Sequence, residues 1–468
     1  MKDPVAGADD SHARRGPRRR GRSSTSPGLT PVDPAEGGAP VEEPVPERVR
    51  RRGWAIDTTP LRDPRYRRLF WGIATTTIGQ QMTLVAVPFQ VFLLTGSSFM
   101  VGVTSVVALV PLVVFGLLGG AIADAMDRRR LLVVTSVGAA VTSALLAAQA
   151  LLPGGGNLAL LWVLTAAVSA FTAVNSPTRY AVIPALVGAE RVPAANALAM
   201  TVRQIGVIVG PLLAGLLIGL GSLVTAYAID AVGFVVAAAL LRGLPPLPPG
   251  RDAGKLRLGA AVRGVWEGFA FLRTQPVLLM TFVVDVIAML FAWPQAVFPE
   301  LSETRYAESP NSLGWLFAGI SIGALAMGLT SGWVSKVERQ GAVVIVSIAV
   351  WAVAIIGFGF APTLWLAVLC LAVAGAGDMV SAVLRSSMLQ TAAPEEMRGR
   401  MQGVFIVVVT GGPRLGDLRA GGLASAAGVT VAMASGGVVV LVAMAAVALL
   451  VPSFWFFRAS RSAVDPTG

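Results

Sequence analysis

The chain has 468 residues, 54% hydrophobic and 13% charged, with a formal net charge of +11 and a mean hydropathy of +0.71. A soluble domain carries about twice that share of charge, so the composition excludes an ordinary globular enzyme and implies a polytopic membrane protein. One cysteine (Cys370) excludes an intramolecular disulfide or a multi-cysteine metal site, and one histidine (His12, near the N-terminus) leaves carboxylates as the groups for proton chemistry within the membrane.

Residues 1–67 are rich in Pro, Gly, Ser and charge, with Arg14, Arg15, Arg18, Arg19 and Arg20 in one run. They predict a disordered basic cytoplasmic tail, and no apolar segment follows the charges as a signal peptide requires. From Leu69 to Pro452, apolar stretches of the length that crosses a bilayer core of about 30 Å alternate with short polar joints. They predict helices at 69–94, 100–122, 131–152, 158–177, 193–219 and 223–242, and again at 276–298, 312–333, 341–360, 364–387, 400–426 and 429–452. The expected fold is an all-α membrane protein of twelve transmembrane helices in two pseudo-symmetric bundles of six, at 68–242 and 276–452. A cytoplasmic loop at 243–275 joins them, and a cytoplasmic tail at 453–468 follows.

Basic residues fall on alternate joints: Arg128, Arg129 and Arg130; Arg179 and Arg191; Lys336 and Arg339; Arg398 and Arg400. Basic loops stay on the cytoplasmic side, so both termini are expected inside, in a bacterial inner membrane. The same distribution accounts for the positive net charge without nucleic acid. The central loop opens with the stiff run Leu244-Pro245-Pro246-Leu247-Pro248-Pro249 and continues into an amphipathic stretch at 256–272, expected to lie along the membrane surface. The halves echo each other: Arg179 precedes Pro184, Glu190 and Arg191 as Arg385 precedes Pro394, Glu396 and Arg398. This is the mark of a duplicated six-helix unit.

Between the second and third helices stands Gly120-Ala121-Ile122-Ala123-Asp124-Ala125-Met126-Asp127-Arg128-Arg129-Arg130. It resembles the loop signature of the major facilitator superfamily, G-x-x-x-D-x-x-G-R-[KR]-[KR], with Asp127 at the usual glycine. The resemblance implies alternating access, with Asp124 meeting the N-terminus of helix eleven to latch the outward-facing state. Helix five carries Gly206, Gly210, Pro211 and Gly215, which resemble the Gly-Pro motif of antiporters in that superfamily. A wider resemblance, to the enterobactin-exporter-like branch of drug and siderophore efflux proteins, rests on Val87 to Gln90, Thr201 to Arg203, Ala296 to Pro299, Gly314 to Ala318, Met388 to Thr391 and Pro394 to Arg400. It implies export of a small amphipathic compound (a drug, a siderophore or another metabolite) in exchange for protons.

Charges at membrane depth are costly and are site candidates by default. Here they are Arg203, Asp230, Asp285, Asp378, Arg414 and Asp417, with Arg419 beside them. Asp230 and Asp285 suit proton uptake and release, and an Arg203–Asp230 ion pair is the structural alternative. Arg414 and Asp417 stand three apart and are spaced to neutralise each other. Asp378 suits the cavity or helix packing. Gln80, Gln81, Gln90, Asn175 and Trp293 are candidate cavity-lining groups. No catalytic, cofactor or metal signature is present, and Gly250 to Lys255 lacks the spacing of a phosphate-binding loop. The expected partners are the substrate, protons and membrane lipids, around a monomer. A proton-coupled uptake symporter of the same fold is the alternative, and a non-transporting scaffold a further one.

Overall fold

The computed structural model describes residues 57–248, 258–392 and 395–458. Most of the 1–67 tail and of the 453–468 tail thus lies outside the described residues, as does 249–257 of the central loop. Six long helices come first: α1 (Pro64–Thr95), α2 (Ser98–Ala125), α3 (Arg128–Ala150), α4 (Leu158–Val187), α5 (Val192–Gly219) and α6 (Leu223–Arg242). After α7 (Leu258–Leu272) come α8 (Pro276–Ala292), the short α9 (Phe298–Glu303), α10 (Ser312–Leu329), α11 (Gln340–Phe360), α12 (Leu364–Ala392), α13 (Glu395–Ala427) and α14 (Val429–Leu450). Leaving out α7, α9 and the four-residue α15 (Pro452–Trp455), twelve helices remain, and no strand appears among the described residues. Eleven of them are long and apolar enough to cross a membrane. The twelfth, α13, is long enough but carries Arg414, Asp417 and Arg419.

Several helices run past their expected ends, for local reasons. The first begins at Pro64 because the Asp63 carboxylate accepts the Arg65 N–H at 2.8 Å and proline suits the first helical position. The fourth continues to Val187 with Pro177 and Pro184 inside it, which membrane helices tolerate when neighbouring helices re-satisfy the freed carbonyls. The seventh stops short at Ala292. Pro294 holds Trp293 extended (φ −83°, ψ 125°), and the chain restarts through a 3-10 turn into α9.

Within each half the helices pack closely, and many apolar side chains point outward instead, such as Val163 and Val232, as a lipid solvent requires. Small residues set the closest contacts. Where α10 crosses α12, a Cβ on Gly323 would sit 1.7 Å from the Ala372 carbonyl oxygen, and one on Gly375 would sit 1.9 Å from that of Ile320. Both neighbours are backbone and cannot swing away. Gly323→Val is therefore expected to lower stability by about 3 kcal/mol, read as a fall in the detergent melting temperature. An unchanged melting temperature would mean that the two helices are not held this close. The α7 helix lays Phe269, Phe271 and Leu272 against Phe282 of α8 and Met401 and Val404 of α13, and leaves Trp266 exposed.

Candidate functional site

The loop between α2 and α3 is a capping structure. The Asp127 carboxylate accepts the Arg130 N–H at 3.0 Å with one oxygen and the Leu247 N–H at 3.0 Å with the other. The Arg128 N–H returns a bond to the Leu247 carbonyl at 3.0 Å, and the Arg129 guanidinium donates to the Arg242 carbonyl at 2.5 Å. Asp127 thus caps α3 and pins the proline-rich linker. Asp127→Ala is expected to cost about 1 kcal/mol, measured as a lower melting temperature, with Asp127→Asn close to wild type. Arg130 is exposed on this face. Gly120 and Asp124 lie in α2, and the Asp124 side chain is outside the described part of the structure, as is the latch expected of it.

A cavity opens between the halves. Its deep part, about 190 Å³, lies among α1, α2, α4 and α13 and is lined by Gln80, Gln81, Leu84, Leu112, Asp230 and Arg414. A second part, about 260 Å³, shares Gln80, Gln81 and Thr172 and adds Asn175, Arg179 and Arg203. A third continues past Gly116 and Pro177 to Val407 and Thr410. Along α1 and α4 the second part, and along α2 and α4 the third, lie nearer than the deep part to the face that carries Arg128 to Arg130 and Arg191, so the cavity runs toward the arginine-rich face. Cβ positions at Gly116 and Gly411 meet nothing within 4 Å.

At the opposite face the halves are shut. A Cβ on Gly421 of α13 would sit 2.1 Å from the Ser98 carbonyl oxygen of α2, and one on Gly102 would sit 2.5 Å from that of Asp417. The Phe99 N–H donates to Ser425 Oγ at 3.0 Å. Across the other seam, Asn311 Nδ2 donates to the Leu212 carbonyl at 3.0 Å, and a Cβ on Gly215 would sit 2.1 Å from Asn311 Oδ1. The helix-five motif thus has two tasks. Gly206 and Gly210 let α5 lie against Thr77 and Gln81 of α1, while Pro211 and Gly215 meet α10.

The membrane charges take separate positions. Asp230 is fully buried, and its Oδ2 accepts from Thr83 Oγ1 and Ser143 Oγ, both at 2.8 Å. Its Oδ1 has no partner. Gly79 faces that oxygen, and a Cβ there would sit 2.6 Å from it. Arg203 does not pair with Asp230: it is exposed to the cavity, and the hydroxyls take its place. Asp285 pairs with Arg385 at 2.7 Å, and Asp378 stands 3.9 Å from the same guanidinium. Asp417 does not neutralise Arg414 by an ion pair. It accepts from Ser105 Oγ at 2.6 Å and from the Ala296 N–H at 3.0 Å, while Arg414 lines the cavity. Arg419 donates to the carbonyls of Phe291 and Ala432 and to Ser435 Oγ, a staple between α8, α13 and α14.

Gln90 and Trp293, offered by the sequence as lining groups, do other work. Gln90 accepts from Tyr227 and donates to the Gly155 carbonyl, and Trp293 stacks on Trp351 at 5.8 Å. Asn175 Nδ2 reaches Thr135 and Ser136 of α3. Two arginines gained importance. Arg385 holds Asp285 and Asp378, and Arg179, buried, donates to Thr76 Oγ1 at 2.7 Å. Their matched places in the two halves were the signal. No spacing announced Thr76, Thr83, Ser105 or Ser143.

A family model described as a transmembrane secretion effector matches residues 55–456. The enterobactin exporter EntS of Shigella boydii serotype 18 is 28% identical over 376 residues, 80% of this chain and 89% of that protein. The enterobactin exporter EntS of Escherichia coli O1:K1 matches equally, at 28% over the same length. Among solved structures, the nucleoside transporter NupG superposes with a TM-score of 0.68 at 15% identity, over 84% of this chain and 99% of that one. A POT family transporter in complex with 5-aminolevulinic acid gives 0.63 at 12%, over 83% and 96%. At these identities the structural likeness shows the fold alone, that of the major facilitator transporters. The matched proteins are transporters and not enzymes.

Proposed function

We propose that this chain, which belongs to the transmembrane secretion effector family of major facilitator transporters, exports small amphipathic compounds from a bacterial cell by proton antiport. On the positive-inside rule the arginine-rich face is cytoplasmic, so the cavity described is open inward and both termini lie inside. Apolar walls with a few polar groups suit an amphipathic cargo. Export rather than uptake rests on the similarity to enterobactin exporters.

The observation that carries proton coupling is Asp230. It lies on the cavity wall, its Oδ2 is held by two hydroxyls, and its Oδ1 has no donor. An oxygen without a donor is where a proton binds, and neutralising a buried carboxylate removes a charge that the membrane interior penalises. Proton release with cargo binding at the inward-open cavity, and proton binding with cargo release on the far side, would then alternate as the halves rock.

Everted vesicles with an established pH gradient test this. Cargo is expected to dissipate the gradient with wild type and not with Asp230→Asn, which keeps the shape of the side chain. Equal dissipation by both would remove Asp230 from coupling. If cargo moves with the proton gradient instead of against it, the chain is the uptake symporter.

A further inference from the structure

We infer that the cargo site is an anion site: its ligand is an amphipathic organic acid whose carboxylate, or similar acidic group, docks between Arg203 and Arg414. This rests on the export reading of the same cavity and names the chemistry that reading leaves open.

The cavity walls hold three guanidiniums, Arg179 and Arg203 in one part and Arg414 in the adjoining part, against one carboxylate, Asp230. That carboxylate is already engaged by Thr83 and Ser143. Arg203 and Arg414 make no ion pair within 4 Å among the described residues, and Asp417, the carboxylate nearest in charge to Arg414, has both oxygens engaged by Ser105 and the Ala296 N–H. Arg179 is buried, and while its Nη1 donates to Thr76, its Nη2 has no partner. An arginine fork without an acceptor in a low-dielectric site is costly. A planar anion offsets that cost and matches the fork with two hydrogen bonds.

The C-terminal half shows what a fully neutralised arginine looks like in this protein. Arg385 occupies the place in its half that Arg179 occupies in the first, and it is met by Asp285 at 2.7 Å, with Asp378 at 3.9 Å. On Arg179 a threonine hydroxyl stands where Arg385 has a carboxylate. The N-terminal half thus leaves positive charge along the cavity without a matching carboxylate, and an acidic cargo between Arg203 and Arg414 offsets it. Leu84, Val87, Leu112 and Val168 line the same cavity and would take its apolar body. Gln80 and Gln81, common to both parts, lie between the two arginine groups and offer further donors.

Matched trios test the inference: naphthalene, biphenyl and steroid scaffolds, each as carboxylate, primary amide and primary ammonium. Affinity for the purified full chain in detergent is read from thermal stabilisation. At least one carboxylate is expected to bind about tenfold or more tighter than its amide, with the ammonium weakest. Arg203→Gln and Arg414→Gln are each expected to lose about tenfold for the acid while leaving the amide unchanged. Arg203 is exposed, so its variant should fold even if one at Arg179 does not. Amides or ammoniums that match or exceed the acids, an acid preference that survives in the double variant, or carboxylates that fail to bind would each overturn the inference. The vesicle assay separates the two claims. Proton movement driven only by amides or ammoniums sinks the anion site and keeps export, whereas arginine-dependent acid binding without proton movement keeps the anion site and sinks antiport.

Discussion

Arg385→Leu is expected to remove most folded protein from the membrane. The guanidinium is buried between Asp285 at 2.7 Å and Asp378 at 3.9 Å, and the Asp285 side chain is only 5% exposed. Removing one partner of a buried pair costs about 3–5 kcal/mol, because the other charge is left uncompensated. Total stability is only about 5–15 kcal/mol, so a loss of that size is seen directly as lower yield and melting temperature. Replacing both partners, as Asp285→Leu with Arg385→Leu, takes both charges out of the interior and is expected to recover much of the loss. Asp378 can be left alone in this test because its side chain is 32% exposed. The double variant also separates structure from mechanism: folded and transporting, it makes the pair a packing device; folded and inactive, it makes the pair part of the cycle. A single variant with wild-type stability would contradict the buried pair.

Joining Ser97 to Ser425 by a disulfide is expected to stop transport completely. The two hydroxyls stand 3.4 Å apart across the closed seam between α2 and α13, near enough for two cysteine sulfurs in their place to rotate to the roughly 2 Å of a disulfide. Alternating access requires that seam to part. Ser97→Cys with Ser425→Cys, in a Cys370→Ser background, should therefore lose transport on oxidation and regain it on reduction, while either single variant is unaffected. A crosslinked protein that still transports at the full rate would show that the two helices stay together throughout the cycle.

Much of the fold was legible because the bilayer imposes a length on every crossing, and the joints betray themselves by charge. The twelve helices appear in the expected order, and their ends moved where a single side chain intervened, as Asp63 does for α1 and Pro294 after α8. The site was less legible. The sequence marked Asp230, Asp285 and Arg203 as costly, but cost does not say who pays the partner's share. Thr83 of α1 and Ser143 of α3 reach Asp230 from sites 147 and 87 residues away. Ser105 reaches Asp417 across 312 residues. Hydroxyls are common in membrane helices, and nothing in their local sequence distinguishes one that meets a carboxylate from one that bonds to its own helix, as Thr135 does to Leu131.

The bond between Asp127 and Leu247 bears on where foreign sequence can enter this protein. Linker residues up to Leu247 are tied to the α2–α3 loop, through Leu247 itself and through the Arg242 carbonyl. A fluorescent reporter inserted between Arg242 and Leu247 would tear those bonds, whereas one inserted after Pro248 would leave them intact. Splitting the gene after Pro248, so that the halves are made as two polypeptides, should likewise leave the N-terminal product with its cap complete. A cut before Leu247 would hand the linker's anchor to the wrong fragment.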